Sequence, residues 1–306
     1  MTATASLRAI TYNTFCGGLD AGDDARLRVQ TDMLAGLKPD LLCLQECTGW
    51  TNRHLCQVAN TLRMVPIAMV RSRVHREPGT PNGTTLLYKP SVLQLVDWCA
   101  LGQGVFHHAL IQAWLRPRAA VDDSCDFLAF GTHFAWPDGD GRLREARMLT
   151  DYGGAFPGAP GGAVLLGDLN TPDREPDDWA VIPKNLHSRY RFVRPSGKFG
   201  GTDQRAVHVL LESGWRDPQM VFGDPAAATV GHFWDTEPNP WRLDYTFTAG
   251  HVQATDYFVW DTPVARRLSD HLPVVCDLMT RRDEQSATGT SGHAQVARDR
   301  PACPAA

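Results

Sequence analysis

The sequence lacks any hydrophobic run long enough to span a membrane. Its longest apolar runs, such as 163–166 and 40–44, have the length of strands, whereas a membrane helix needs about 20 consecutive apolar residues. The N-terminal segment 1–8 also has no apolar signal core and leads almost directly into a strand-like segment. We therefore expect neither a membrane span nor a signal peptide.

The sequence also lacks the cysteine spacing of a zinc site or a disulfide framework. Its eight cysteines are scattered, and no CxxC pair occurs. Several lie in apolar strand-like runs, where a small buried thiol is the ordinary interpretation. Cys43 and Cys47 lie on either side of Glu46, but a thiolate metal site there is the less favoured interpretation. Without a signal segment or a disulfide framework, we expect a cytoplasmic protein.

A third feature that the sequence lacks is an excess of basic residues. It has 30 lysines and arginines against 34 acidic residues, which gives a net charge of −4 and a pI near 6.2. Binding of nucleic acid would therefore depend on local basic segments such as 71–73 and 184–194. This balance favours a small substrate over polymeric DNA and keeps nucleic acid as an alternative partner.

What the sequence does contain is enough apolar residue for a large core. Its 306 residues are 43% hydrophobic, which allows one large α/β domain or two small ones. Strand-like runs at 84–88, 92–98 and 106–115 indicate an antiparallel meander rather than a doubly wound parallel sheet. We expect two packed sheets with helices outside them, in a single domain over 1–280. The polar segment 281–306 is predicted to be a disordered tail.

Polar side chains end several of the predicted buried strands. Asn13 lies near the end of the strand-like run 7–15, Glu46 ends the run 40–46, and His133 ends the run 126–133. In layered α/β proteins, ligands meet the sheet at the ends of strands. These three residues are therefore candidate site residues.

The segment 167–170, Gly-Asp-Leu-Asn, follows another apolar run. We predict that Gly167 lets the backbone turn and that Asp168 and Asn170, two positions apart, project to the same side. A carboxylate and an amide at the end of a strand can hold a water molecule and a phosphoryl oxygen, or a hydrated metal ion. Asp168 and Asn170 are therefore candidate catalytic residues.

The C-terminal part of the chain contributes Asp244 and the pair Asp270-His271. Asp244 lies in the predicted strand 241–247, and the pair opens the last apolar run, 272–278. An Asp-His pair is weak evidence when it stands alone. With the acids, amides and histidine at the other strand ends, it indicates metal-assisted hydrolysis of a phosphate ester.

The substrate is expected to contact the irregular parts of the chain. The stretch 171–239 shows little periodicity, with only 204–213 predicted as a helix, and an irregular stretch of this length is typical of a substrate-facing surface. The basic, Pro/Gly-rich loop 71–83 is a second such segment. From these loops and their borders we assign substrate binding to Asn82, Arg189 and Trp241.

Taken together, these motifs resemble those of the endonuclease/exonuclease/phosphatase superfamily, which includes deoxyribonuclease-like nucleases and neutral sphingomyelinases. The resemblance spans about 7–278 and depends on the order and spacing of six short motifs: Tyr12-Asn13, Gln45-Glu46, Thr132-His133, Gly167-Asp168-Leu169-Asn170, Arg242-Leu243-Asp244-Tyr245 and Ser269-Asp270-His271. It implies a four-layer α/β/β/α sandwich of two packed mixed, mainly antiparallel sheets. It also implies dependence on Mg²⁺ or Mn²⁺, hard cations that prefer oxygen ligands.

The resemblance further implies roles for the acids and amides. Glu46 would be the main metal carboxylate, with Asn13 and Asp270 beside the ion. Asp168 would orient or deprotonate the attacking water, and Asn170 would hold the phosphoryl group.

The histidines complete the implied site. His271, polarised by Asp244, would face the phosphate and stabilise its charge, and His133 would donate to a phosphate oxygen or to the leaving group. Which residue acts as the general base stays open. Phe15 stands where some nucleases of the superfamily have a further metal-side acid, which puts a second metal position in doubt, and no carboxylate partner for His133 is recognisable in the sequence.

The sequence therefore supports one leading hypothesis and two alternatives. The leading hypothesis is a divalent-metal-dependent phosphoesterase that hydrolyses a phosphate mono- or diester of a small or medium-sized metabolite. The first alternative is a metal-dependent nuclease. The second is a catalytically silent binding protein on the same fold, which the intact set of acids, amides and histidines disfavours.

Overall fold

The computed structural model describes residues 5–73, 80–237 and 239–281. Part of the predicted basic loop and all of the predicted tail after Arg281 lie outside the described residues. Within them the chain forms thirteen β-strands and seven α-helices. No helix of this described part is both long and apolar enough to cross a bilayer.

The strands form two large sheets and one small hairpin. They are β1 Ala5–Asn13, β2 Leu41–Gln45, β3 Val65–Arg71, β4 Gly83–Tyr88, β5 Leu93–Leu101, β6 Ala109–Pro117, β7 Phe127–His133, β8 Gly162–Asp168, β9 Arg191–Val193, β10 Phe199–Thr202, β11 Asp244–Gly250, β12 Val252–Val259 and β13 Val274–Thr280. One sheet has the order β12-β13-β1-β2-β4-β3, and the other has the order β11-β8-β7-β6-β5. Each contains one parallel pair, β1 with β2 and β7 with β8, among antiparallel pairs. The predicted mixed, mainly antiparallel sheets are thus confirmed.

The helices lie mainly on the outer faces of the two sheets. They are α1 Ala25–Leu37, α2 Asn52–Leu62, α3 Gly139–Arg147, α4 His187–Tyr190, α5 Arg205–Glu212, α6 Gln219–Phe222 and α7 Ala265–Leu268. Residues of α1 and α2 share an apolar cluster with β1 and β2. Residues of α3 and α5 share another with β7, β8 and β11.

The main core lies between the two sheets and follows from the two-residue period of the strands. Leu7 and Ala9 of β1 pack in this core with Val164 and Leu166 of β8. The alternate residues of the same strands face the helices, as Ile10 does in β1. Because successive side chains of a strand point to opposite faces, the apolar runs line two cores at once. The predicted α/β/β/α sandwich is confirmed.

The stretch 171–239 is more regular than the sequence indicates. Besides α5, which was predicted, it contains α4, α6 and the hairpin of β9 and β10. These elements have three or four residues each, and a segment that short shows no periodicity in the sequence.

A buried ion pair fixes the chain just before β11. Arg242 donates from Nη1 to Asp217 Oδ1 over 2.9 Å and from Nη2 to Asp217 Oδ2 over 2.6 Å, and both side chains are almost fully buried. The guanidinium also lies over the Tyr245 ring, 4.2 Å from its centroid. This pair holds the segment that carries Asp244.

We predict that Arg242→Met lowers the free energy of unfolding by about 3–5 kcal/mol, because it leaves the Asp217 carboxylate buried without its partner. Urea unfolding followed by circular dichroism measures the change. Arg266→Met is the matched control, since its ion pair with Asp261 is half exposed and such a pair contributes about 0–1 kcal/mol. Equal destabilisation by the two changes would contradict the prediction.

Candidate active site

Three neighbouring strands of the five-stranded sheet bring polar residues into one row across the ends of the strands. The strand register places Asp168 of β8 directly between His133 of β7 and Asp244 of β11. β7 and β8 are parallel and end here, and the antiparallel β11 begins here. Paired residues in a sheet point to the same face. All three side chains therefore face the space between the two sheets, as Val164 and Leu166 do.

The other sheet contributes Asn13 to the same row. Its Nδ2 donates to Asp168 Oδ2 over 3.1 Å, and its Oδ1 accepts from the Phe15 backbone N–H over 3.0 Å. The amide thus joins the end of β1 to the end of β8 across the sandwich. Both groups of the Asn13 amide have protein partners in this structure.

His271 closes the row from the segment before β13. Its Nδ1 lies 2.7 Å from Asp244 Oδ2, and its Nε2 lies 3.8 Å from Asp168 Oδ2. Among the described residues, Asp168, Asp244 and His271 each offer a ligand atom within 4.8 Å of the others, a spacing that a metal ion could also use. The short bond from His271 to Asp244 shows that the group already holds together by its own hydrogen bonding.

Burial and the charges of this group together set the pKa values of His271 and Asp168. Burial lowers the pKa of His271, but the carboxylates of Asp244 and Asp168 outweigh it and hold that pKa well above its ordinary value. Burial raises the pKa of Asp168 to about 7, where the His271 cation opposes the rise and the Asp244 charge adds to it. His271 is therefore cationic at neutral pH, and Asp168 can exchange a proton near neutrality.

The turn after β8 differs from the expectation at Gly167. This glycine lies inside β8, and a Cβ there would come within 2.5 Å of the Thr132 carbonyl oxygen. Glycine is therefore required by the close packing of β8 against β7 and not by a turn. The chain turns at Asn170 instead, which has a φ of 49°. Asn170 donates its backbone N–H to Asp168 Oδ1 over 2.8 Å and its Nδ2 to the Phe134 carbonyl over 3.1 Å.

Two further carboxylates, Glu46 and Asp270, line the cavity beside this row. Glu46 Oε2 accepts from the Cys16 backbone N–H over 3.0 Å, and Asp270 Oδ2 accepts from Trp234 Nε1 over 3.2 Å. Burial raises the pKa of Glu46, and the negative charge of Asp270 raises it further. Two carboxylates that repel each other at a cavity wall form a donor set suited to a hard divalent cation.

Strained backbone is concentrated at the same cavity. Four of its lining residues that are not glycine have a positive φ, at 51° for Phe15, 52° for Cys16, 51° for Glu46 and 49° for Asn170. This conformation costs free energy for a residue with a Cβ and is characteristic of functional sites. The strain supports a functional role for the two loops that follow β1 and β2 and for the turn after β8.

The cavity itself has a volume of about 640 Å³, within the range of small-molecule sites. Arg189 is the only lysine or arginine among its described lining residues, against four acids, Glu46, Asp168, Glu237 and Asp270. The Arg189 guanidinium lies 5.0 Å from the centroid of the Trp136 ring, and its Nη1 lies 3.5 Å from Glu237 Oε1. The cavity wall is therefore acidic, with Arg189 as its one guanidinium beside the His271 cation.

Most residues predicted for the site line this cavity. Nine of the eleven do so: Glu46, Asn82, His133, Asp168, Asn170, Arg189, Trp241, Asp270 and His271. Asn13 and Asp244 lie behind them and contact Asp168 and His271. The indole N–H of the buried Trp241 donates to the Arg174 carbonyl over 3.1 Å. Trp241 therefore forms part of the cavity wall with its ring, and its N–H is already used within the protein.

The sequence reasoning missed several residues of the site. Trp136 and Trp234 line the cavity with more than two fifths of each side chain exposed, but a tryptophan in a loop gives no periodic signal. His108 also lines the cavity, and its position could have been predicted from the sequence. The doublet His107-His108 directly precedes a strand that pairs antiparallel with the strand ending in His133.

Glu145 of α3 is another missed residue, and it supports the site from behind. Its Oε1 accepts from the His107 backbone N–H over 2.6 Å, and its Oε2 accepts from the Ala135 backbone N–H over 2.7 Å. The carboxylate therefore ties together the chain just before β6 and the chain just after β7. Burial raises the pKa of Glu145 to about 7, although both hydrogen bonds and the Arg142 charge oppose the rise.

We predict that ionisation of Glu145 lowers the free energy of unfolding progressively as the pH rises from about 4.5 to about 7. Its folded-state pKa lies above the ordinary 4.5, so the folded protein binds this proton more tightly than the unfolded chain does. Its favourable contribution is complete below pH 4.5 and is lost as the pH rises through 7, by about 3 kcal/mol. Urea unfolding of the wild type and of Glu145→Gln across this range gives the difference between their free energies of unfolding. The contributions of the other titrating groups are common to both proteins and cancel in this difference.

The control for this series is Glu212→Gln, at an exposed position of α5. The same urea series on this variant measures the background of a glutamate-to-glutamine change. A Glu145→Gln difference that stays constant from pH 4 to pH 8 would rule out the raised pKa.

Comparison with known proteins agrees with this geometry. The sequence matches the profile of the endonuclease/exonuclease/phosphatase family over residues 10–271. Comparison with curated proteins gives no sequence match.

Solved structures share the fold at low sequence identity. An endonuclease/exonuclease/phosphatase from Beutenbergia cavernae is 18% identical, with a TM-score of 0.62 over 90% of this chain and 72% of that one. ANGEL2, a 2',3'-cyclic phosphatase, is 14% identical, with a TM-score of 0.62 over 90% and 95% of the two chains. A mannosyl-6-phosphatase from Bacteroides thetaiotaomicron is 16% identical, with a TM-score of 0.60 over 89% and 99%.

Proposed function

The chain belongs to the endonuclease/exonuclease/phosphatase family, and on that premise we propose that it is a divalent-metal-dependent hydrolase of a small organic phosphate ester. The observation that carries this proposal is the in-register row of His133, Asp168 and Asp244, with His271 bound to Asp244. The row borders a cavity of metabolite size. It offers a proton acceptor and a cationic donor within 4 Å of each other.

Asp168 is the group that we assign to the attacking water. Its Oδ1 and Oδ2 are oriented by the Asn170 N–H and by Asn13 Nδ2. With a pKa near 7, its carboxylate can take a proton from water as the water oxygen forms a bond to phosphorus. The ester P–O bond breaks on the opposite side in an in-line displacement.

The two histidines are the groups that we assign to the developing negative charge. His271, kept cationic by Asp244, presents Nε2–H to a phosphoryl oxygen, and His133 presents Nε2 from the neighbouring strand. Donors fixed before the reaction stabilise charge without reorganisation, which is a large part of catalytic rate enhancement. The leaving oxygen takes up a proton from solvent and Asp168 returns to solvent the proton that it took from water, so the step yields an alcohol and a phosphate.

Family members are typically metal-dependent, and the residues present here fit a divalent cation. Glu46 and Asp270 would hold it through carboxylate oxygens, which Mg²⁺ and Mn²⁺ prefer, and the Asn13 amide, whose Oδ1 already accepts from the Phe15 N–H, would stand beside them. A bound cation supplies Lewis-acid stabilisation of the phosphoryl charge. The repulsion between Glu46 and Asp270 is the observation that supports a cation at this wall.

The charge of the cavity supports a small substrate rather than a nucleic-acid polymer. Affinity for nucleic acid depends on several lysine or arginine contacts with phosphates, and Arg189 is the one such side chain among the described lining residues. The names of two structural relatives, a 2',3'-cyclic phosphatase and a mannosyl-6-phosphatase, are consistent with small phosphate esters. The cytoplasmic location expected from the sequence stays a prediction.

The test of this function is hydrolysis of p-nitrophenyl phosphate and bis-(p-nitrophenyl) phosphate, in parallel with plasmid DNA. Each is assayed with Mg²⁺ or Mn²⁺ and again with excess EDTA. We expect metal-dependent release of nitrophenol from at least one ester while the plasmid stays intact. Plasmid cleavage would support a nuclease instead, and no reaction with any of the three would argue against the proposal.

We predict that Asp168→Asn and His271→Ala each lower kcat by at least about 100-fold, because each removes a group that acts in the transition state. Steady-state kinetics on the ester that the wild type hydrolyses provides the measurement. Asp151→Asn and His208→Ala, both at exposed positions outside the cavity lining, are matched controls and should keep wild-type kcat. Wild-type turnover in either site variant would overturn the assigned mechanism.

We also predict that Glu46→Gln weakens binding of Mn²⁺ by at least about tenfold, because it removes a charged oxygen ligand. Isothermal titration calorimetry without substrate measures this independently of catalysis. Glu212→Gln is the control and should bind Mn²⁺ as the wild type does. Unchanged affinity in Glu46→Gln would place the ion elsewhere, with the Asp168, Asp244 and His271 group as the next set to test.

A further inference from the structure

Two imidazole rings are stacked at the edge of the site. The rings of His108 and His133 lie almost parallel, with their centroids 3.9 Å apart and an interplanar angle of 10°. His133 Nε2 lies 3.4 Å from Asp168 Oδ2, so one ring of the stack borders the reacting groups directly. The other ring lines the same cavity.

The strand register produces this stack. Ala109, the first residue of β6, pairs with His133, the last residue of β7, so His108, which directly precedes β6 in the chain, lies just beyond this end of the strands. The Glu145 carboxylate holds both segments from behind, through the backbone N–H groups of His107 and Ala135. The backbone next to each stacked ring is therefore fixed by the same side chain.

The far side of the stack is anchored as well. His108 Nδ1 is hydrogen-bonded to Ser72 Oγ over 2.9 Å, and both residues are buried, at 7% and 4% exposure. Ser72 is fixed in turn, since its backbone N–H donates to the Asn82 carbonyl over 3.0 Å. The chain of contacts thus runs from the loop after β3, through His108, to His133.

The His133 ring makes no side-chain hydrogen bond among the described residues, because its nearest polar partner, Asp168 Oδ2, lies 3.4 Å from Nε2, beyond the ordinary hydrogen-bond length. Its Nδ1 is buried and makes no hydrogen bond with any described residue, so the carboxylate that commonly orients a catalytic histidine is missing at this nitrogen. A histidine held only at Cα and Cβ can rotate its ring about χ2, which is a broad torsion. Something else must set the direction of Nε2.

We propose that His108, anchored by Ser72, is a positioning residue that orients His133 by stacking, in place of a carboxylate partner. The proposal rests on the proposed phosphoester hydrolysis, in which His133 Nε2 faces the phosphate. The parallel ring fixes the plane of His133 and directs its Nε2 toward Asp168 and the cavity. His108 itself contacts no reacting atom in this assignment.

Burial is consistent with a neutral stack. It lowers the pKa of His108 to about 3, with the neighbouring His107 adding to the effect, and it also lowers the pKa of His133, with His108 adding. Two stacked cations would repel each other, whereas two neutral rings can stay in contact. His133 therefore acts through a neutral ring, as a hydrogen-bond donor at Nε2.

The kinetic test is a double-mutant cycle on the nitrophenyl ester that the wild type hydrolyses. We expect His108→Ala to lower kcat by about 10- to 100-fold, the usual effect of a misplaced catalytic group, while KM changes by less than about threefold. His108→Phe keeps a stacked ring and should recover most of the loss. In a His133→Ala background, His108→Ala should lower kcat by no more than about twofold, because the residue acts only through His133.

Two kinetic outcomes would overturn the proposal. One is a His108→Ala protein with wild-type kcat. The other is an equal loss of kcat in the wild-type and His133→Ala backgrounds, which would show a general structural effect instead. Circular dichroism and thermal unfolding establish that each variant is folded, and His108→Phe provides a second variant if His108→Ala does not fold.

A spectroscopic measurement separates this inference from the proposed function. The ¹⁵N shifts of the His133 ring in the metal-free protein should show one neutral tautomer with the proton on Nε2, and His108→Ala should shift them toward averaged tautomers. Averaged tautomers in the wild type would overturn the positioning role even if the enzyme is active. If the wild type hydrolyses no ester but shows the fixed tautomer, the proposed function fails while the stacking role is retained.

Discussion

One hydrogen bond across the sandwich, from Asn13 Nδ2 to Asp168 Oδ2, determines how the whole site is built. It joins the two sheets at the edge where β1, β7 and β8 end and β11 begins, and it orients the carboxylate that stands at the centre of the polar row. Asp168 is 1% exposed, so its charge is tolerated only because Asn13, Asn170 and His271 surround it. The rest of the site is arranged around this buried acid.

Burial and neighbouring charges together set the protonation of each group in the site, and they oppose each other only at some of these groups. Asp244 keeps His271 cationic in spite of burial, while burial without a carboxylate partner keeps His133 neutral. Two histidines within reach of the same Asp168 oxygen thus differ in charge because only one has an acid at its Nδ1. At the cavity wall, Glu46 and Asp270 repel each other, a tension that a divalent cation would relieve.

The sequence could predict the strand-end residues because strands have a strict period of two. An apolar run such as that before Asp168 fixes the face of every second residue, and Asp168 and His133, expected at strand ends, pair with each other at the ends of β7 and β8. The two packed sheets were predicted from the number of strand-like runs, and helices were expected outside them. Gly167 was misjudged because a turn and a close strand contact both favour glycine, and only the Thr132 carbonyl 2.5 Å from its virtual Cβ distinguishes them. Contacts between strands and loops, such as His108 on His133 or Trp234 on Asp270, depend on register and on irregular backbone that no local pattern encodes.

The central claim, that water oriented at Asp168 attacks phosphorus, is tested most directly by hydrolysis of a nitrophenyl phosphate ester in ¹⁸O-labelled water. The account predicts that one ¹⁸O atom enters the phosphate product and none enters the nitrophenol, with the Asp168→Asn protein slow to form either product. Label in the nitrophenol would show cleavage of the C–O bond, and the assignment of Asp168, His133 and His271 around an attacked phosphorus would then be wrong.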